Sequence, residues 1–335
     1  MANRLTIPGF VNAHSHAFQR ALRGRTEGGD FWAWRDAMLE LADEQTPERV
    51  RTGYEQVYRE MRAAGYTAVG EFHYLGFEQA LAAAEAARAA GITFVLLYVA
   101  YARGGLERMR QASPAEYLNQ VENLRERGLE VGLAPHSVRA CPPQWLAQVG
   151  RYAADHELAL HVHADEQPRE IEECIEEHGI RPIELLAKHG CLGPRTTIVH
   201  ATHADDAELD LLAETGSRIC VCPTTEANLG DGYFPVERAL ERDIGICIGS
   251  DSNVRIDPLE EQRELEGIAR RTALRRNVVP LDMLHRIGAG EGAAALGLER
   301  WPDAEVDLDH PSLAGLDEPA ARAALVFGCS ADVFV

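Results

Sequence analysis

Apolar runs rich in β-branched residues recur along the chain, and each is followed by a longer segment of helical period. The first is "LTIPGFVNAH" (5–14). After it come "YTAVGEFHY" (66–74), "ITFVLLYVA" (92–100), "LEVGLAPHS" (129–137) and "LALHVHADE" (158–166). "TTIVHATH" (196–203), "SRICVCP" (217–223) and "IGICIGSDS" (244–252) complete a set of eight. Strands that are apolar almost without interruption are buried on both faces, as in a parallel sheet. The intervening segments read as helices. "FEQALAAAEAARAAG" stops at Gly91, and "SPAEYLNQVENLRERG" opens with Ser113 as N-cap and Pro114 in the first turn. Eight strand–helix alternations predict an α/β fold of the (β/α)8 TIM-barrel type rather than an open doubly wound sheet. No GxGxxG follows the first strand, which removes the usual dinucleotide site.

Polar residues enter the strands at their C-terminal ends. His14 and His16 close the first, His73 and Tyr74 the second, His136 the fourth, His161 and His163 the fifth, His200 the sixth and Asp251 the eighth. In a barrel these ends open on one mouth, where active sites lie. Residues two apart on a strand share a face, so each His-x-His pair projects together. Any one of these histidines alone reads as a core residue. Together with Asp251 they read as ligands of a divalent transition metal such as zinc, with an open position for catalysis. One histidine of the pair His161 and His163 can be an outer partner rather than a ligand.

The remaining sequence properties narrow the picture. At 335 residues and 46% hydrophobic content the chain suits one large domain, or one domain with a small appendage. A formal charge of −20 argues against nucleic acid or an anionic membrane as partner. Seven cysteines without a CxxC pair read as reduced thiols of a cytoplasmic protein, and neither a signal start nor a long uncharged apolar stretch is present. A homodimer is the default expectation for a soluble oligomer.

"NAHSH", "HVHADE", "VHATHAD" and "IGSDS" occur in the order used by the amidohydrolase superfamily, and "NAHSHAFQRALRG", "FWAWRDAM", "AGYTAVGEFHY", "HSVRA", "VHATHAD", "TEANLGDGYFP" and "IGSDS" carry a closer resemblance. From about Pro8 to Gly297 the chain resembles the formimidoylglutamate deiminases within it. The resemblance implies one zinc per chain held by His14, His16, His163 and Asp251, with iron or manganese as possible substitutes. It also implies Glu166 as proton shuttle, His200 beside the reacting water, and Asp251 as both ligand and proton acceptor. Gln19, Arg35, Tyr74, His136 and Arg139 match positions that hold substrate. The implied reaction is hydrolytic deimination of N-formimino-L-glutamate to N-formyl-L-glutamate and ammonia, a step of histidine degradation. That substrate is a small dianion, and Arg35 and Arg139 supply guanidinium groups suited to its carboxylates.

Such enzymes carry a small β-sandwich built from both chain ends. Here seven residues precede Pro8 and the tail is short, so the expectation is a barrel over 1–298 and a C-terminal remnant over 299–335 packed on it. Asn253 stands where relatives often have histidine and is given no role. Asn228 either reaches substrate or holds its loop, and Cys220 and Cys222 read as small core residues. Two alternatives remain: a deaminase of a purine- or pyrimidine-like amidine using the same metal set, and a non-catalytic barrel that binds metal or a ligand.

Overall fold

The computed structural model describes residues 3–335. Its strands are β1 (Arg4–Pro8), β2 (Phe10–Ser15), β3 (Tyr66–His73), β4 (Thr93–Ala100), β5 (Val131–Pro135) and β6 (Leu160–Ala164). They continue with β7 (Thr196–His200), β8 (Arg218–Val221), β9 (Ile246–Ile248) and β10 (Asp303–Asp307). Strands β2 to β9 pair in chain order in one parallel sheet, with helices between them. This is the (β/α)8 barrel expected from the alternating pattern. β2 and β3 are buried at every residue, as two-sided burial requires.

The barrel closes between β2 and β9 through a narrow seam. Ser15 and Asp251 form an isolated parallel bridge. The His16 N–H donates to the Asp251 carbonyl at 2.8 Å, and the Asp251 N–H donates to the His14 carbonyl at 3.0 Å. Gly249 approaches the same place. A Cβ there would stand 2.7 Å from the His14 carbonyl oxygen and 2.8 Å from its Cβ. The close approach of β9 to β2 therefore requires glycine.

The first apolar run is not one strand. It breaks at Gly9, where a Cβ would meet the Thr67 side chain and the Pro302 carbonyl oxygen at 2.1–2.4 Å. Before the break, β1 alternates exposed and buried residues and pairs antiparallel with β10, Arg4 opposite Asp307 and Pro8 opposite Asp303. The chain on either side of the barrel thus meets in a two-stranded ribbon. Trp301 anchors it by donating its indole N–H to the Gly9 carbonyl at 2.9 Å.

Local signals act where the sequence places them. Gly91 ends the helix Phe77–Ala90 with φ +70°, and Ser113 accepts the Glu116 N–H at the head of the helix Pro114–Glu126. Inside the barrel, Ala13, Val199, Cys220, Cys222, Cys247 and Ala295 pack as a small apolar floor. All seven cysteines are buried and unpaired. Among the described residues no helix is long and apolar enough to cross a membrane.

Candidate active site

β2, β6 and the turn after β9 bring four side chains to one point. His14 Nε2 lies 3.2 Å from His16 Nε2, 3.1 Å from His163 Nε2 and 3.2 Å from Asp251 Oδ1. His16 Nε2 is also 3.2 Å from Asp251 Oδ1. The opposite ring nitrogens fix the tautomers. His16 Nδ1 donates to the Phe72 carbonyl at 2.9 Å, and His163 Nδ1 donates to the His136 carbonyl at 3.0 Å. The Nε2 atoms of His16 and His163 are therefore bare lone pairs in their neutral rings. Both point at His14 Nε2, which carries one proton at most and cannot satisfy three acceptors. A cation at the centre satisfies all four atoms. Two atoms about 2.0–2.1 Å from one zinc ion and at a tetrahedral angle stand roughly 3.3 Å apart, close to these separations.

The electrostatics agree with that donor set. Burial pushes His14 down to about 3, against the hydrogen bond to Asp251. Burial, followed by the charge of His14, holds His163 well below the usual imidazole range. Burial opposes ionisation of Asp251, but the close approach of His14 and His16 outweighs it and holds the carboxyl well below its ordinary value. Three imidazoles and one carboxylate are the donor set that a divalent ion of this class binds.

Glu166 and His200 stand beside this cluster. β7 ends at His200 with φ +74°, followed by Ala201 at +51°, while Asp251 sits at +41°. Non-glycine residues in the left-handed region cost of order 1–3 kcal/mol each, and at His200 and Asp251 the side chains face the mouth. His200 Nε2 is 3.8 Å from Glu166 Oε1, and its Nδ1 is 3.2 Å from Glu226 Oε1. Burial disfavours the His200 cation, yet Glu166, the hydrogen bond to Glu226 and Asp251 push it up to about 10. Burial raises Glu166 to about 7 against the pull of His200 and Arg139. A carboxyl so placed both takes and gives a proton near neutrality.

Gln19, Arg35, Tyr74, His136 and Arg139 line the same cavity as His16, His163, Glu166, His200 and Asp251. Gln19 donates its amide to the Tyr74 hydroxyl at 2.9 Å, leaving its own Oε1 without a partner. Arg139 stands 3.5 Å from Glu170 and 3.9 Å from Glu166, and its buried Nε makes no hydrogen bond. Arg35 comes from the helix Phe31–Asp43, which covers the mouth with Trp34 and Met38. Its ion pair is a loose one, to Asp36 at 4.0 Å. Trp32 of that helix packs under the Arg169 guanidinium, whose carbon is 4.4 Å from the ring centroid. Burial, with the nearby Arg139 cation, holds His136 neutral well below its ordinary range.

His161 is separated from the cluster. Its Nε2 donates to the Ala295 carbonyl at 2.9 Å. It faces the interior like His163 but one pleat deeper, at the floor. Asn228 donates to Glu27 and ties two loops together, and Asn253 bridges Ser15 and the backbone of Asp251. The sequence reading missed two residues. Arg103, whose guanidinium also lines the mouth, makes two 2.8 Å contacts to Glu177 and donates to the Arg139 carbonyl. Glu226 lies within "TEANLGDG", a segment whose signal drew attention to its glycines instead.

A sequence model of the amidohydrolase family matches residues 5–300. The chain is 39% identical over 329 residues to a formimidoylglutamate deiminase of Pseudomonas aeruginosa, covering 87% of this chain and 72% of that protein. It is 30% identical over 324 residues to a 5-methylthioadenosine/S-adenosylhomocysteine deaminase of Haloarcula marismortui, covering 92% and 74%. A crystal structure of an amidohydrolase from Brucella melitensis superposes with a TM-score of 0.88 at 32% identity, over 98% of this chain and 84% of that one. An adenosine deaminase from Xanthomonas campestris with bound zinc superposes with a TM-score of 0.89 over 99% and 78%, at 23% identity, a likeness of fold.

Proposed function

Because the chain belongs to the amidohydrolase family, a family of hydrolases, we propose that it deiminates N-formimino-L-glutamate, giving N-formyl-L-glutamate and ammonia. The observation that carries this reading is the pair of guanidinium groups, Arg35 and Arg139, facing the cavity that His16, His163 and Asp251 also line. A linear dianion with an amidine end fits that distribution, its carboxylates toward the arginines and its formimino carbon toward the ligand cluster.

Zinc is the ion we assign to His14, His16, His163 and Asp251. When bound, such an ion supplies a water acidic enough to attack at neutral pH. The chain's own residues manage orientation and protons. Arg35 and Arg139 bind the two carboxylates through paired donors. Tyr74, Gln19 and His136 hold the body of the substrate. Water adds to the formimino carbon, and Glu166 takes one of its protons and delivers it to the imino nitrogen. Asp251 takes the second proton, which goes to that nitrogen as the C–N bond breaks and ammonia leaves. His200 directs Nε2 toward the oxygen on which charge develops. In this reading the protein is cytoplasmic, where buried thiols stay reduced, and dimeric.

The test is ammonia and N-formylglutamate release from formiminoglutamate by zinc-loaded protein, with and without a chelator. Turnover that stops on chelation is expected. Arg139→Ala is expected to raise KM about 10–100-fold, the scale of one hydrogen bond to a charged group, with a smaller change in kcat. Deamination of 5′-methylthioadenosine with no action on formiminoglutamate would replace this reading with a purine deaminase. No turnover of either would favour a binding barrel.

A further inference from the structure

Glu226 lies on the helix Pro223–Leu229, which follows β8, and is 3% exposed. It does not line the substrate cavity. Its Oε1 accepts the Cys222 N–H at 2.8 Å and stands 3.2 Å from His200 Nδ1. No arginine or lysine pairs with it among the described residues, whereas its charge disfavours ionisation of Asp231 and Glu261. A carboxylate buried among acids is costly, and His200 is the one side chain that compensates it. Glu226 is therefore in a place that packing alone would fill with an apolar or amide side chain.

The rings around His200 show what the contact does. His200 stacks on His163 with centroids 5.5 Å apart and planes 20° apart. Stacking fixes the plane of an imidazole but not which edge faces which way, because its terminal torsion has two nearly equivalent states. A flip would exchange Nδ1 and Nε2 for ring carbons. Glu226 breaks that equivalence, since its oxygen needs a donor and finds one at Nδ1. Nε2 then faces Glu166 Oε1 at 3.8 Å and the cavity. Cys222, the third side chain of this group, has its thiol pushed up by burial and carries no charge to compete.

We infer that Glu226 is a positioning residue for hydrolysis: it fixes which edge of His200 faces the cavity, and through His200 the direction of the Nε2 group at the reacting centre. The inference rests on the role of His200 proposed above. It assigns no contact between Glu226 and substrate.

A double-mutant cycle on the zinc-loaded enzyme tests it. Glu226→Leu is expected to lower kcat about 10–100-fold, the scale of losing an orienting partner, with KM and zinc content unchanged. Glu226→Gln keeps an oxygen able to accept both hydrogen bonds and is expected to recover most of kcat. In a His200→Ala background, Glu226→Leu is expected to add nothing, because the residue acts through the ring that is gone. Losses that multiply would overturn the inference, as would wild-type kcat in Glu226→Leu. The second readout is a downfield proton NMR resonance from His200 Nδ1–H, expected in the wild-type protein, displaced by Glu226→Gln and absent from His200→Ala. This readout needs neither substrate nor the leucine variant. If formiminoglutamate is not turned over at all, the substrate reading falls, yet a resonance displaced by Glu226→Gln still supports Glu226. A resonance unmoved by that change sinks the inference.

Discussion

Glu166→Gln is expected to lower kcat by about 10²–10⁴-fold, the usual contribution of a positioned proton carrier, while KM, zinc content and thermal stability change little. Glutamine matches glutamate in shape and keeps the hydrogen bond from the Glu166 N–H to Glu170. What it loses is the ability to exchange a proton. The acid limb of the pH profile is expected to go with it. Burial raises Glu166 to about 7, and the resting shuttle must be a carboxylate, so kcat/KM in the wild type rises with pH through that group's pKa. A cation held at the adjacent cluster favours the carboxylate, which places the limb at or below 7 in the loaded enzyme. Steady-state kinetics between pH 5 and 8 check both points. A variant within tenfold of wild-type kcat would remove Glu166 from the mechanism.

Asp251→Asn is expected to remove both metal and activity. Asparagine tolerates the positive φ of this position, so the backbone turn survives the substitution. The side chain no longer brings a negative charge to the three imidazoles, and the neutral amide is a poor ligand for a divalent ion. Zinc measured by elemental analysis should fall well below one ion per chain. kcat/KM should fall by more than the ~10–100-fold that loss of an outer partner costs. One zinc retained per chain with near-normal turnover would show that the ligand set is drawn wrongly.

Much of this architecture was legible in the chain itself, for reasons that differ by element. The eight core strands announce themselves because burial on both faces leaves no room for alternation, as in β3. β10 escaped because "DAEVD" is short, half-exposed and acidic, and only its pairing with β1 makes it a strand. The break at Gly9 depends on what presses on it from Thr67 and Pro302, which local sequence does not report. Among the site residues, histidines at strand ends are conspicuous because imidazole is rare in such apolar runs. The same-face rule places His161 and His163 together and is correct, yet two residues along a strand span about 6.6 Å, enough to put one at the mouth and the other at the floor. The carbonyls of Phe72 and His136 that orient the His16 and His163 rings are backbone atoms, invisible in residue type. Glu226 is hidden for another reason: a glutamate early in a helix is ordinary, and only the fold sets it against His200.

The seam between β2 and β9 joins folding to ion supply. The last stave of the cask is hooped by the amides of His16 and Asp251, residues whose side chains belong to the proposed cation site. An ion that recognises only the closed form stabilises it by about 2.7 kcal/mol at a free concentration 100 times its dissociation constant. Those two amides should therefore exchange with solvent deuterium more slowly as zinc is added, ahead of amides in β4 and β5 on the far wall. Starved of metal, the protein would leak at this joint first.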